Sequence, residues 1–215
     1  MARVPSAKPR GVDPIRRLTF GFARRMYGRV PEPAGVIAHH RPLLFGYDVF
    51  GLAFARYSRA VQRRHKELAM LRTAQLVGCE WCLDFGSRLA REAGIPEQDL
   101  RDLVRWRESE RFDLLDRLVL EYAEAMTRTP ADITDDLFER LRERFVERQL
   151  VELTLSIALE NLYSRSNWAL GIESEGFSEG AYCVPPEQRS GIVVGEAAPA
   201  LAFKPNGETG ALEGS

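Results

Sequence analysis

Apolar residues recur every three or four positions through most of this chain, the spacing of helices that turn one face to a core. Ile15, Leu18, Phe22 and Met26 form the first such stripe. Asp13-Pro14 ahead of it is a helix start, with Asp as N-cap and Pro at the first helical position. The residues before about Gly11 read as a loose polar arm. Pro31-Glu32-Pro33-Ala34-Gly35 then breaks the pattern. From Leu43 to Phe54 the chain is apolar on nearly every side, which predicts a helix buried between other helices or in a subunit interface. That run is too short and too interrupted for a membrane span.

Leu68 and Leu71 place the next helix over about 62–77, and Gly78 breaks it. Another runs from Cys79 to Ala93, closed by Gly94 and followed by Ile95-Pro96. A short helix covers about Glu97 to Trp106. A longer one carries Leu115, Leu118, Val119, Tyr122 and Met126 and stops before Pro130. Thr134 is an N-cap for a helix bearing Leu137, Leu141 and Phe145. The last helix, about Glu147 to Gly171, is long and rich in Leu and Ile. From Gly176 glycine and proline become frequent, and only Ile192-Val193-Val194 hints at a strand. The expected fold class is all-α: an N-terminal arm and helix (1–35), a helical domain (36–175) and a Gly/Pro-rich tail (176–215).

Composition narrows the partners more than the fold. Of the 215 residues, 45% are hydrophobic, enough for a sizeable core, and the formal net charge is -1. That balance gives no general attraction to nucleic acid or to an anionic membrane. The first ten residues lack the apolar core of a signal peptide, so a cytoplasmic location is expected. In a reducing compartment a close cysteine pair points to catalysis or metal binding rather than to a structural disulfide.

One such pair exists. Cys79-Glu80-Trp81-Cys82 follows Gly78 at a helix start, with Glu67 twelve residues upstream. Helix amides and the helix dipole favour a thiolate there, and the i, i+3 spacing lets the second sulfur close a disulfide on the first. A carboxylate such as Glu67 can take a thiol proton and return it to a leaving group. Along one straight helix it would lie about 18 Å from the cysteines, so the chain must turn back at Gly78. Zinc is the competing reading, but no second pair is present and His39, His40 and His65 do not follow the motif at ligand spacing. Two buried core thiols are the bland reading. No cofactor or metal is expected.

Other residues carry weaker signals. Arg56, Arg59, Arg63, Arg64 and Lys66 read as a solvated basic face. Glu160 and Asn161, inside the apolar last helix, either line a pocket or tie helices together. Trp81, Phe85 and Trp168 suit core packing or an apolar pocket wall. His39-His40 is a loop or cap, and Cys183 in the tail a bystander.

The run from Glu67 to Gly86 resembles the core of the carboxymuconolactone decarboxylase superfamily, within it the alkylhydroperoxidase D-like branch. Ala93-Gly94-Ile95-Pro96, Leu118 to Ala123, Leu150-Val151-Glu152-Leu153, Asn161 and Asn167 extend the likeness over roughly residues 40–172. The resemblance implies an all-helical trimer or hexamer with thiol-dependent peroxidase or disulfide-reductase activity. It makes Cys82 the attacking cysteine, Cys79 the resolving one, and Glu67 part of a proton relay. A hydroperoxide or disulfide would be the substrate and a thiol system the reductant. Two positions depart from the pattern: peroxidatic members carry His four residues after the second Cys, here Gly86, and some carry His where this chain has Trp81. Asp84 or His65 are candidates for the missing role. The alternatives are a redox-sensing or non-catalytic helical oligomer and, from superfamily membership alone, a decarboxylase or lyase.

Overall fold

The structure, a computed structural model, describes residues 2–8 and 14–178. Within them lie nine α-helices, one 3-10 turn and no strand: α1 (Pro14–Tyr27), α2 (Glu32–Ile37), α3 (Arg41–Tyr57), α4 (Arg63–Val77), α5 (Glu80–Glu92), α6 (Glu97–Asp102) leading into the 3-10 turn Leu103–Arg105, α7 (Leu114–Thr127), α8 (Asp135–Arg142) and α9 (Glu147–Leu170). The fold is all-α, as expected. Asp13, Cys183 and Ile192-Val193-Val194 lie outside the described residues.

Local chemistry sets the helix ends. Thr134 accepts a hydrogen bond from the Leu137 amide and starts α8, and His40 accepts one from the Leu43 amide and starts α3. The predicted break at Pro31–Gly35 is instead the start of α2, because Pro33 falls in its first turn, where a missing N–H costs nothing. The arm is not loose over residues 2–8. The Arg3 amide donates to Leu170 O, closing the end of α9, and the Ala7 amide donates to Gly35 O.

Helix α4 is the centre of the bundle and packs against α5, α7 and α9. Leu68, Leu71 and Ala74 join Leu83, Leu100, Leu103 and Leu120 in one core cluster. Ala69 joins Val119, Tyr122, Leu141, Leu153 and Ile157 in a second. A helix buried on two sides needs charges that are paired. Arg64 donates to both oxygens of Asp116 at 2.8–3.1 Å and to Asp99 at 2.9 Å, and Lys66 donates to Glu152 at 2.8 Å. The expected solvated basic face is therefore corrected at Arg64 and Lys66, which hold carboxylates from α6, α7 and α9.

The apolar stripe of α1 faces outward instead of into a core: Leu18 is 69% exposed, and Ile15, Phe22 and Met26 are exposed as well. On α3 only Leu44 is buried, while Leu43, Phe45, Val49, Phe50 and Leu52 are exposed. Of the two expectations for this helix, burial between helices of the same chain does not hold.

Removing Arg64 takes the closest cation from Asp99 and Asp116, both almost fully buried, and leaves them only Arg111 at 3.4 Å and His65 at 3.5 Å. Arg64→Ala is expected to lower unfolding free energy by about 3 kcal/mol, measured by urea denaturation. A change within experimental error would show that these carboxylates do not depend on Arg64.

Candidate functional site

Gly78 ends α4 with φ +79°, its amide reaching back to Ala74 O and Gln75 O. An L residue with a side chain resists this left-handed geometry, so the glycine permits the reversal. Cys79 follows in extended conformation as the N-cap of α5, and its Sγ accepts the Cys82 amide at 3.2 Å. A sulfur therefore fills the place of a capping oxygen, where amide and dipole favour negative charge. Cys79 and Cys82 are joined as a disulfide, their Cα atoms 5.3 Å apart. Both are buried, Cys79 at 1% exposure and Cys82 at 5%, which leaves Cys82 the more accessible.

Helices α4 and α5 form an antiparallel hairpin whose register is fixed by packing. Gly86 lies against Leu71, where a Cβ would come within 2.9 Å of Leu71 Cδ2. Farther from the turn, Arg63 donates to Leu89 O at 3.2 Å and lies 3.9 Å from Glu92. Glu67 stands one turn beyond Leu71 and Cys82 one turn short of Gly86. Along the hairpin they are separated by two turns, roughly 11 Å. The turn at Gly78 brings Glu67 back toward the sulfurs, as the sequence requires, but leaves this interval. Glu67 receives Arg63 Nε at 3.4 Å. Burial raises its pKa, against the opposing pull of Arg63.

Neither candidate substitute for the absent histidine sits in the interval. Asp84 accepts the amides of Glu175, Phe177 and Ser178 and the hydroxyl of Ser174, at 2.7–3.0 Å. Burial alone would raise its pKa; those donors outweigh it and hold the group below the usual carboxylate range. Asp84 thus anchors residues 174–178 to α5. His65 lies in the second core, edge-on to Phe145 and with Nε2 3.5 Å from Asp116. Burial lowers its pKa. His65, Asp113 and Asp116 bring ligand atoms within 4.8 Å of one another, but Arg64 already occupies Asp116 and Asp113 caps α7. That donor set does not suit a metal.

The aromatic residues build a wall beside the dithiol. Trp81 stacks on Phe85 at 5.0 Å, Phe177 meets both edge-on, and Trp81 Nε1 donates to Glu175 at 2.7 Å. Trp168, by contrast, is 39% exposed on α9. A cavity of about 420 Å³ lies elsewhere, in the α6–α7 connection among Asp102, Arg105 and Glu108 to Arg111.

The last helix supplies what the sequence reading largely missed. Its second half is inverted: Leu162 and Trp168 are exposed, while Glu160, Ser164 and Asn167 are buried. Asn167 Nδ2 donates to Cys82 Sγ at 3.5 Å, and Ser164 Oγ donates to Glu160 Oε1 at 2.5 Å. Burial, reinforced by Glu67, pushes Glu160 up to about 8, with the Ser164 bond opposing it. Glu160 is therefore a carboxylic acid at neutral pH. Tyr163 on the same helix meets Tyr47 of α3, ring centres 4.6 Å apart, and burial lifts the neighbouring Asp48 to about 6. The available signal was polar residues at i, i+4 and i+7 within an apolar helix.

Residues 46–125 match the family model described as carboxymuconolactone decarboxylase family. The uncharacterized protein YnjA of Escherichia coli K12 is 38% identical over 167 residues, 78% of this chain and 89% of that protein. The chain belongs to the carboxymuconolactone decarboxylase family. Solved structures agree in fold. An uncharacterized peroxidase-related protein with an alkylhydroperoxidase AhpD core, from Ralstonia eutropha JMP134, superposes with a TM-score of 0.74 at 16% identity, covering 86% of this chain and 97% of that one. The debrominase Bmp8 superposes with a TM-score of 0.70 at 18% identity, covering 83% and 95%. The fold of this carboxymuconolactone decarboxylase family member thus occurs in a protein named a debrominase and in one named peroxidase-related. Among its described residues no helix is long and apolar enough to cross a membrane.

Glu160 also sets a pH dependence of stability. Its folded pKa, about 8, lies above its ordinary 4.5. The stabilisation from keeping its proton is complete below 4.5 and is lost as pH rises through 8. Glu160→Gln is therefore expected to gain stability relative to wild type between pH 5 and pH 8.5, in denaturation midpoints. A difference that does not change with pH would mean that Glu160 is ionised throughout.

Proposed function

We propose that this protein is a thiol-dependent peroxidase or disulfide oxidoreductase working through Cys79 and Cys82. The observation that carries the reading is the sulfur pair at the start of α5, where Cys79 Sγ accepts the Cys82 amide and both sulfurs lie within bonding reach. Cys82 attacks the distal oxygen of a hydroperoxide as a thiolate and becomes a sulfenic acid, releasing an alcohol. Cys79 then attacks the Cys82 sulfur, water leaves, and the disulfide forms. A dithiol partner reduces it again. Glu67, with a raised pKa, serves the proton traffic.

A second reading, a redox-responsive oligomer that oxidises without turnover, is favoured by glycine at position 86 and by the burial of both sulfurs. The exposed apolar faces of α1 and α3 support self-association in either case. We propose a trimer or hexamer built on them. Sedimentation equilibrium is expected to give three or six chain masses, and Phe45→Glu combined with Val49→Glu a smaller species. A monomeric wild type would remove this part of the proposal.

Peroxide-dependent consumption of a dithiol is expected to fall to the uncatalysed background in Cys82→Ser. The Cys82 thiol should be alkylated with a pKa below the ordinary 8.5 or so. Full activity in the Ser variant would exclude the dithiol peroxidase.

A further inference from the structure

The hairpin register leaves an interval of roughly 11 Å between Glu67 and Cys82, and midway along it Gly86 supplies no polar side chain, only a backbone packed against Leu71. The α9 stripe has the same length: seven residues from Glu160 to Asn167 rise roughly 10 Å, and positions 160, 164 and 167 share one face. At one end Glu160 is electrostatically coupled to Glu67. In the middle Ser164 donates to Glu160. At the other end Asn167 donates to Cys82 Sγ. Asn167 is 1% exposed, and its Oδ1 has no hydrogen-bond partner among the described residues. Burying such an acceptor unsatisfied is costly, and it sits beside the reacting sulfur.

We propose that α9 completes the dithiol site: Asn167 is a catalytic residue that holds Cys82 with its amide and accepts the hydroperoxide O–H on Oδ1, and Glu160 is a positioning residue that stores the proton behind it. This rests on the dithiol peroxidase reading. Before reaction Cys82 is a thiolate, Cys79 a thiol and Glu160 a carboxylic acid. Attack forms the S–O bond and breaks O–O, so sulfur is oxidised and peroxide reduced. The alkoxide takes the proton that Glu160 releases and leaves as the alcohol. Cys79 gives its proton to the emptied carboxylate and attacks the Cys82 sulfur. The S–S bond forms, S–O breaks, and hydroxide takes that proton and leaves as water. A dithiol reductant, itself oxidised to a disulfide, returns two electrons and two protons.

The groups that face Glu160 are Glu67 with Arg63 beside it on α4, Tyr47 on α3, and Ser164 and Tyr163 on α9; Asp48 of α3 acts on the two tyrosines and Glu92 of α5 on Glu67. Asp48, lifted to about 6, completes its titration below the range in which Glu160, near 8, loses its proton. A proton store at Glu160 must therefore fail on the alkaline side.

The test measures the rate at which the reduced full chain forms its Cys79–Cys82 disulfide with hydrogen peroxide and with cumene hydroperoxide, from pH 5.5 to 9.5. Alkylation of Cys82 is followed in parallel. Wild type is expected to lose rate above about pH 8. Glu160→Gln should be at least tenfold slower at pH 7 and lack that alkaline fall. Asn167→Ala should raise the Cys82 alkylation pKa and slow oxidation at every pH. Ser164→Ala keeps the carboxyl group and removes a bond that lowers its pKa, so its alkaline fall should move to higher pH even if the other variants fold poorly. Rates within twofold of wild type and an unchanged pH profile in all three, with Cys82→Ser inactive, would overturn this inference and leave the peroxidase reading standing. An active Cys82→Ser would overturn both.

Discussion

The left-handed turn at Gly78 is the constraint on which the site depends. With φ at +79° the chain reverses within one residue, so α4 and α5 become an antiparallel pair instead of one long helix. The reversal places Cys79 at the N-cap of α5 and aims the Cys82 amide at its sulfur. It also fixes the register through Gly86 against Leu71 and Arg63 against Leu89. Every distance between the sulfurs and the residues of α4 follows from that register.

The rest of the bundle makes this geometry rigid. Arg64, Lys66 and Arg72 leave α4 in different directions and each finds a buried or half-buried carboxylate, on α6 and α7, on α9 and on α7 respectively. These pairs hold the central helix at fixed rotation between its two cores. Buried ion pairs contribute little net stability, yet each is costly to break singly, which favours one arrangement over its neighbours. Asp84 does similar work on the other side of α5, gathering four donors from residues 174–178 and bringing Phe177 over Trp81 and Phe85.

Polarity is inverted in two places, with different consequences. On α9, Glu160, Ser164 and Asn167 are inside while Leu162 and Trp168 are outside. Burying an acid that stays protonated and an amide with a free carbonyl costs stability, as expected where a fold serves chemistry instead of packing. On α1 and α3 the apolar side chains are outside, forming surface that a lone chain leaves in water.

The sequence by itself determined the helices other than α2 and most of their ends, because periodicity, caps and left-handed glycines are local: Thr134 caps α8, Gly94 follows α5, and Gly78 stops α4 where its position says it must. It also determined the dithiol, since a Cys-x-x-Cys at a helix start is legible from spacing alone. Family membership was readable from the stretch Glu67 to Gly86 for the same reason. Only the tertiary structure decided which way the helices face. The stripe of α1 is perfectly periodic yet exposed, because periodicity names a face and not its partner. Likewise Asp84, two residues from Cys82, is spent on a distant segment, whereas Asn167, 85 residues away, touches the sulfur. Hydrogen bonds between α5 and α9 depend on rotation and register set by the packing of α4 between them, a quantity that no local pattern encodes.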